Sequence, residues 1–96
     1  MILKMPSKSQ KLSFKPMQVL RQIKNDLLEY FNNDIRVDHN MDINRNILDI
    51  SIKRRNKFIY IQPYYNRFIV SGNLEKTYIN KLYLKAECDI INILKD

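Results

Sequence analysis

Met17, Leu20, Ile23, Leu27, Tyr30 and Phe31 recur at intervals of three and four residues, with one single-residue step at the end. That is the spacing of one helical face. Pro16 stands in the first turn, where its missing N–H costs nothing. Asn32-Asn33 tolerates the left-handed cap conformation, so the helix is expected to stop there. Beyond it the period falls to two. Ile35 and Val37 alternate with Arg36 and Asp38, MDINRN reads as a turn, and Leu48, Ile50 and Ile52 alternate with Asp49, Ser51 and Lys53.

Two tight reversals follow, at Arg55-Asn56 and Tyr65-Asn66, leading into KFIYIQPYY and RFIVS. Neither has the favoured Asn-Gly chemistry. Pro63 lacks a ladder donor and points to an edge or a bulge. Gly72-Asn73 is expected to close the sheet, with Asn73 capping a last helix. In that helix Ile79, Leu82, Tyr83, Ala86, Ile90, Ile93 and Leu94 share one face, and Leu84, Cys88 and Ile91 form a second apolar strip beside it. The strip is either buried face or a contact for a partner helix.

The expected fold class is therefore α+β, in the order α-β-β-β-β-α. Two helices cover one face of a small antiparallel sheet of three to four strands. Residues 16–96 form a single domain; residues 1–15, with Pro6, three serines and four lysines, read as a flexible basic arm. At 96 residues there is no room for a second core.

Two-residue reversals fix the parity of the faces. Ile52 falls opposite Ile59, Ile50 opposite Ile61, Ile61 opposite Val70 and Pro63 opposite Phe68, all on the core side. The other face then carries Lys53, Phe58, Tyr60, Gln62, Tyr64, Arg67 and Ile69, with Asp49 and Ser51. A slip of one residue would exchange the two faces.

Charge sharpens this picture. The net +7 is segregated: residues 1–25 carry six cations and no acid, 26–52 two cations and six acids, 53–67 five cations and no acid, and 68–96 four of each. Abundant Ile, Lys and Asn is the usage of AT-rich genomes, such as those of low-GC bacteria and their mobile elements, but such a bias spreads lysine evenly and leaves the segregation unexplained. Aromatics between cations on an open sheet face suit single-stranded nucleic acid, whose bases stack on rings while Lys and Arg follow the phosphates. The candidate binding residues are Lys53, Arg54, Arg55, Lys57, Phe58, Tyr60, Tyr64 and Arg67. The structural counterpart is a hairpin whose aromatics pair across strands and whose charges face water.

Other chemistry is sparse. One cysteine excludes an internal disulfide, and with one histidine it excludes an ordinary structural zinc site. His39 shares the parity of Ile35 and Val37, which makes it a core-edge residue. Asp38, Asn40, Asp42, Asn44, Asn46 and Asp49 mimic the oxygen spacing of a calcium loop, yet Ile43 stands where that loop needs glycine. There is no phosphate-binding glycine loop, dinucleotide fingerprint or helix-turn-helix pattern. No cofactor and no catalysis are expected.

No apolar run approaches the roughly 20 residues of a membrane span, and MILKMPSKSQ lacks the apolar core of a signal peptide. A cytoplasmic location without membrane contact is expected. The leading expectation is a nucleic-acid-binding module favouring single strands. The alternative is a protein-interaction module, an accessory subunit or inhibitor docking on a larger, replication-type enzyme through the hairpin or through Leu84, Cys88 and Ile91.

Overall fold

In the computed structural model, residues 16–95 are described; the expected basic arm, 1–15, lies outside them. Helix α1 (Pro16–Tyr30) buries Val19, Leu20, Ile23 and Leu27, and Phe31 just beyond it is also buried. It ends as the pattern requires. Asn32 and Asn33 take φ of 54° and 66°, and the Asn33 N–H donates to the Leu28 carbonyl at 2.8 Å, closing the last turn.

The sheet is an antiparallel meander with strand order β1-β2-β3-β4-β5: β1 (Arg36–Met41), β2 (Ile47–Arg54), β3 (Lys57–Tyr64), β4 (Arg67–Gly72) and β5 (Lys76–Ile79). A short 3₁₀ turn (Asn80–Leu82) leads into α2 (Tyr83–Leu94). Both helices pack on the same face. The core between the layers holds Ile50 and Ile52 of β2, Ile59 and Ile61 of β3, Phe68 and Val70 of β4, Tyr78 of β5, and Ala86, Ile90 and Leu94 of α2. From Ile50 onward the parity of the faces is as the sequence requires; Leu48, expected beside Ile50 and Ile52, is exposed and Ile47 is buried instead, where the β1–β2 register shifts between Asn40 and Met41. Ile52 pairs with Ile59, Ile50 with Ile61, Ile61 with Val70 and Pro63 with Phe68.

The strand count is five rather than three to four, because Gly72-Asn73 does not close the sheet. Lys76–Ile79 adds an edge strand, and Tyr78 stacks on Phe68 with ring centroids 5.5 Å apart. Tyr78 Oη donates to Asp89 of α2 at 2.6 Å, tying the new strand to the helix layer. This hydrogen bond and Lys85 hold the Asp89 carboxyl below its ordinary range, while burial and Asp89 push the Tyr78 phenol up. Asn73 caps no helix. Its N–H donates to the Phe58 carbonyl at 2.8 Å and its Oδ1 accepts from the Phe58 N–H at 2.7 Å.

Pro63 sits in the central strand rather than an edge strand. The last β2–β3 pair is Ile50–Ile61, so Pro63 lies beyond the paired stretch of these two strands, where a missing ladder donor is tolerated. The turn after β1 is built on Asp42, whose Oδ1 accepts from the N–H groups of Asn44 and Asn46 at 2.8 and 2.9 Å. No described helix is long and apolar enough to cross a membrane.

Candidate nucleic-acid interface

Among the described residues, no element covers the face of the sheet away from the helices. Alternation along β3, its central strand, places Phe58, Tyr60 and Tyr64 on that face, with Gln62 between them. Phe58 is 36% exposed and Tyr64 55% exposed, so both rings present area to solvent. Each has a cation as its cross-strand partner: Lys53 pairs with Phe58, and Arg67 with Tyr64. Neither Lys53 nor Arg67 makes an ion pair among the described residues.

Tyr60 is half-buried and its hydroxyl is committed. It donates to Asp49 Oδ2 at 2.9 Å, and Asp49 Oδ1 accepts from Asn40 Nδ2 at 2.7 Å. The ring is thereby held in place, and Asp49 spends its acceptors on neutral donors beside the cations. At the far turn, Tyr65 is 79% exposed and packs edge-to-face on Tyr64 with centroids 4.7 Å apart. It extends the aromatic strip by a ring the strand pattern does not include. A turn residue follows no alternation, so only its adjacency to Tyr64 signals it.

Two of the eight candidate residues lie on the opposite face. Arg54 and Lys57 pair with each other and continue the parity of Ile52 and Ile59, toward the helices. Arg54 Nη1 donates to the Leu94 carbonyl at 2.8 Å, its Nη2 to Asp34 Oδ2 at 3.1 Å and its Nε to the Asp34 carbonyl at 3.2 Å. Its guanidinium also lies 4.9 Å from the centroid of the Phe31 ring. Lys57 Nζ donates to the Ile93 carbonyl at 3.0 Å. Both therefore satisfy the last carbonyls of α2, where positive charge is favoured.

Arg54→Ala is accordingly expected to lower stability by about 2 kcal/mol, as loss of charge-assisted hydrogen bonds does. Arg55→Ala, at the exposed turn, should stay within about 0.5 kcal/mol of the parent. Urea denaturation of the two variants tests the distinction, and equal losses would contradict it.

The helix strip divides as well. Leu84 is 58% exposed and Cys88 is exposed on α2, whereas Ile91 is half-buried against the core. His39 lies on the helix side of edge strand β1 yet is exposed, with Nδ1 3.1 Å from Lys24 Nζ. Among the described residues, no group of three or more His, Cys, Asp or Glu side chains is placed to hold a metal ion.

Two contributors escape the strand pattern of the hairpin. Arg36 of β1 pairs directly with Lys53, which depends on a register set across the Asp42 turn. Asn73 clamps Phe58 from both its N–H and its carbonyl. Comparison with protein-family models, with curated proteins and with solved structures gives no match to this chain.

Proposed function

We propose that this chain is a non-catalytic nucleic-acid-binding module that takes single strands across the open face of its sheet. One observation carries the reading: on the sheet face that no described element covers, the central strand bears Phe58, Tyr60 and Tyr64, and the cross-strand partners of the two outer rings are the cations Lys53 and Arg67. Phe58 and Tyr64 lie about 20 Å apart at the rise of a β-strand, room for several nucleotides. Each stacked base contributes about 1–3 kcal/mol, and the neighbouring cations meet the phosphates between the bases. Double-stranded nucleic acid keeps its bases stacked on one another and offers the rings no face. Single strands are therefore preferred.

The test is a fluorescence-anisotropy titration of single-stranded DNA, single-stranded RNA and duplex at two salt concentrations. Single strands should bind more tightly than duplex, with affinity falling steeply as salt rises. Phe58→Ala/Tyr64→Ala removes two exposed rings and should weaken single-strand binding by about tenfold or more. Absence of binding at low salt, or full affinity in the double variant, would reject the proposal.

In that event the second reading gains weight. Leu82 and Leu84, 47% and 58% exposed, present apolar area at the start of α2, as a protein-docking surface does.

A further inference from the structure

At the Phe58 end of the open face lies a groove of about 300 Å³, between the chain leaving α1 and the β2–β3 turn. Four cations line it, Arg36, Lys53, Arg54 and Arg55, against one acid, Asp34. Asp34 is paired with Arg54 at 3.1 Å, and Arg54 is spent further on the Leu94 carbonyl, so this pair forms a fixed wall rather than a free ligand. The remaining three cations are poorly compensated. Arg36 holds Asp38 through Nε alone, at 3.0 Å, and Lys53 and Arg55 make no ion pair among the described residues.

Two further facts point the same way. Arg36 and Lys53 are direct cross-strand partners, and like charges in that position repel. Arg55 occupies the first turn position with φ of 59°, a conformation that asparagine or glycine adopts at lower cost. An anion between these side chains would relieve the repulsion and give the arginine at the turn a use. Three cations converging on an open groove match the several acceptor oxygens of a phosphate group.

We propose that this groove is a phosphate seat, in which Lys53, Arg55 and Arg36 hold one phosphate group of a bound nucleic-acid strand. The seat rests on the single-strand reading for its ligand, since it adjoins Phe58, the cross-strand partner of Lys53. It fixes where the strand is anchored. The phosphate is either the monoester at a strand end or a diester within the strand.

Amide NMR with inorganic phosphate as probe, against chloride at matched ionic strength, separates the seat from the aromatic face. Saturable shifts confined to residues 33–36 and 53–55 are expected in the parent and in Phe58→Ala/Tyr64→Ala, and their loss in Lys53→Gln/Arg55→Gln. These are exposed side chains, and the NMR spectrum itself reports whether each variant is folded. If those amides stay still, the seat is wrong even when oligonucleotides bind elsewhere on the sheet.

Anisotropy with oligonucleotides carrying a 5′-phosphate, a 3′-phosphate or neither identifies the source. Tighter binding of one phosphorylated end, lost by about tenfold in Lys53→Gln/Arg55→Gln, assigns a strand end. Equal binding of all three, weakened alike by that variant with a shallower salt slope, assigns an internal diester. Equal binding that the variant leaves unchanged overturns the proposal.

Discussion

Replacing Glu87 by glutamine is expected to raise stability at neutral and alkaline pH and to flatten its pH dependence. Glu87 is only 7% exposed, on the face of α2 that meets α1, and its side chain hydrogen-bonds to Asp26 of α1. Its Oε2 has no hydrogen-bond partner among the described residues. Burial, then the hydrogen bond to Asp26 and that residue's negative charge, push the Glu87 carboxyl from an ordinary value near 4.5 up to about 9. Tyr83, on the same helix, has its phenol raised by burial and by the charges of Glu87 and Asp26. At pH 7 the folded protein therefore keeps a proton on Glu87 that the unfolded chain releases.

The sign follows from that difference. The protonated acid contributes fully to stability below about pH 4.5, and its contribution is lost as pH rises toward about 9. The slope in that window approaches 1.4 kcal/mol per pH unit. Glutamine is neutral at every pH and its amide can donate to Asp26 in the same way. Glu87→Gln should thus be close to the parent near pH 4.5 and more stable by about 2 kcal/mol near pH 6, the gap widening as pH rises further toward about 9. For a domain of this size that is on the order of 10 °C in Tm. Thermal melts at half-unit steps from pH 4.5 to 9.5 measure it, and parallel curves for the two proteins would show that Glu87 is ionised in the fold.

Gly72→Ala should be the most damaging small substitution, costing about 3 kcal/mol or more. Gly72 has φ of +98°, and a Cβ there would lie against the Phe58 carbonyl oxygen, closer than van der Waals contact allows. That oxygen already accepts the Asn73 N–H, and the Asn73 side chain accepts the Phe58 N–H. The backbone around Phe58 therefore has little freedom to retreat. Strain at this point moves Phe58, so the variant should also bind single strands more weakly than its residual folded fraction explains. Urea denaturation gives the first quantity, and titration with denaturation-corrected active concentration gives the second. A loss below 1 kcal/mol would mean that the strand end relaxes freely.

Much of this architecture is legible in one dimension, because the physics that sets it is local. The α1 stripe and its Asn32-Asn33 stop follow from helical period and cap preference. The open face follows from strand alternation plus two-residue turns, since parity carries from Ile52–Ile59 through Ile61–Val70 without knowledge of the helices. Phe58, Tyr60 and Tyr64 share a face for the same reason.

What the tertiary structure decided involves groups distant along the chain. Lys76–Ile79 runs into residues with helical spacing, and a four-residue edge strand has no pattern of its own; pairing with β4 and the Tyr78–Phe68 stack make it a strand. Arg54 and Lys57 are indistinguishable in composition from Lys53 and Arg55. Strand parity turns Arg54 and Lys57 toward the helix side, but only the docking of α2 brings the Ile93 and Leu94 carbonyls within their reach. Glu87 stands at helical spacing from Tyr83, Ile90 and Leu94, so its place on the buried stripe was readable; that it meets Asp26 was not. Turn chemistry and periodicity determined which residues face which way. Helix packing decided which of the charges became structure and which stayed exposed.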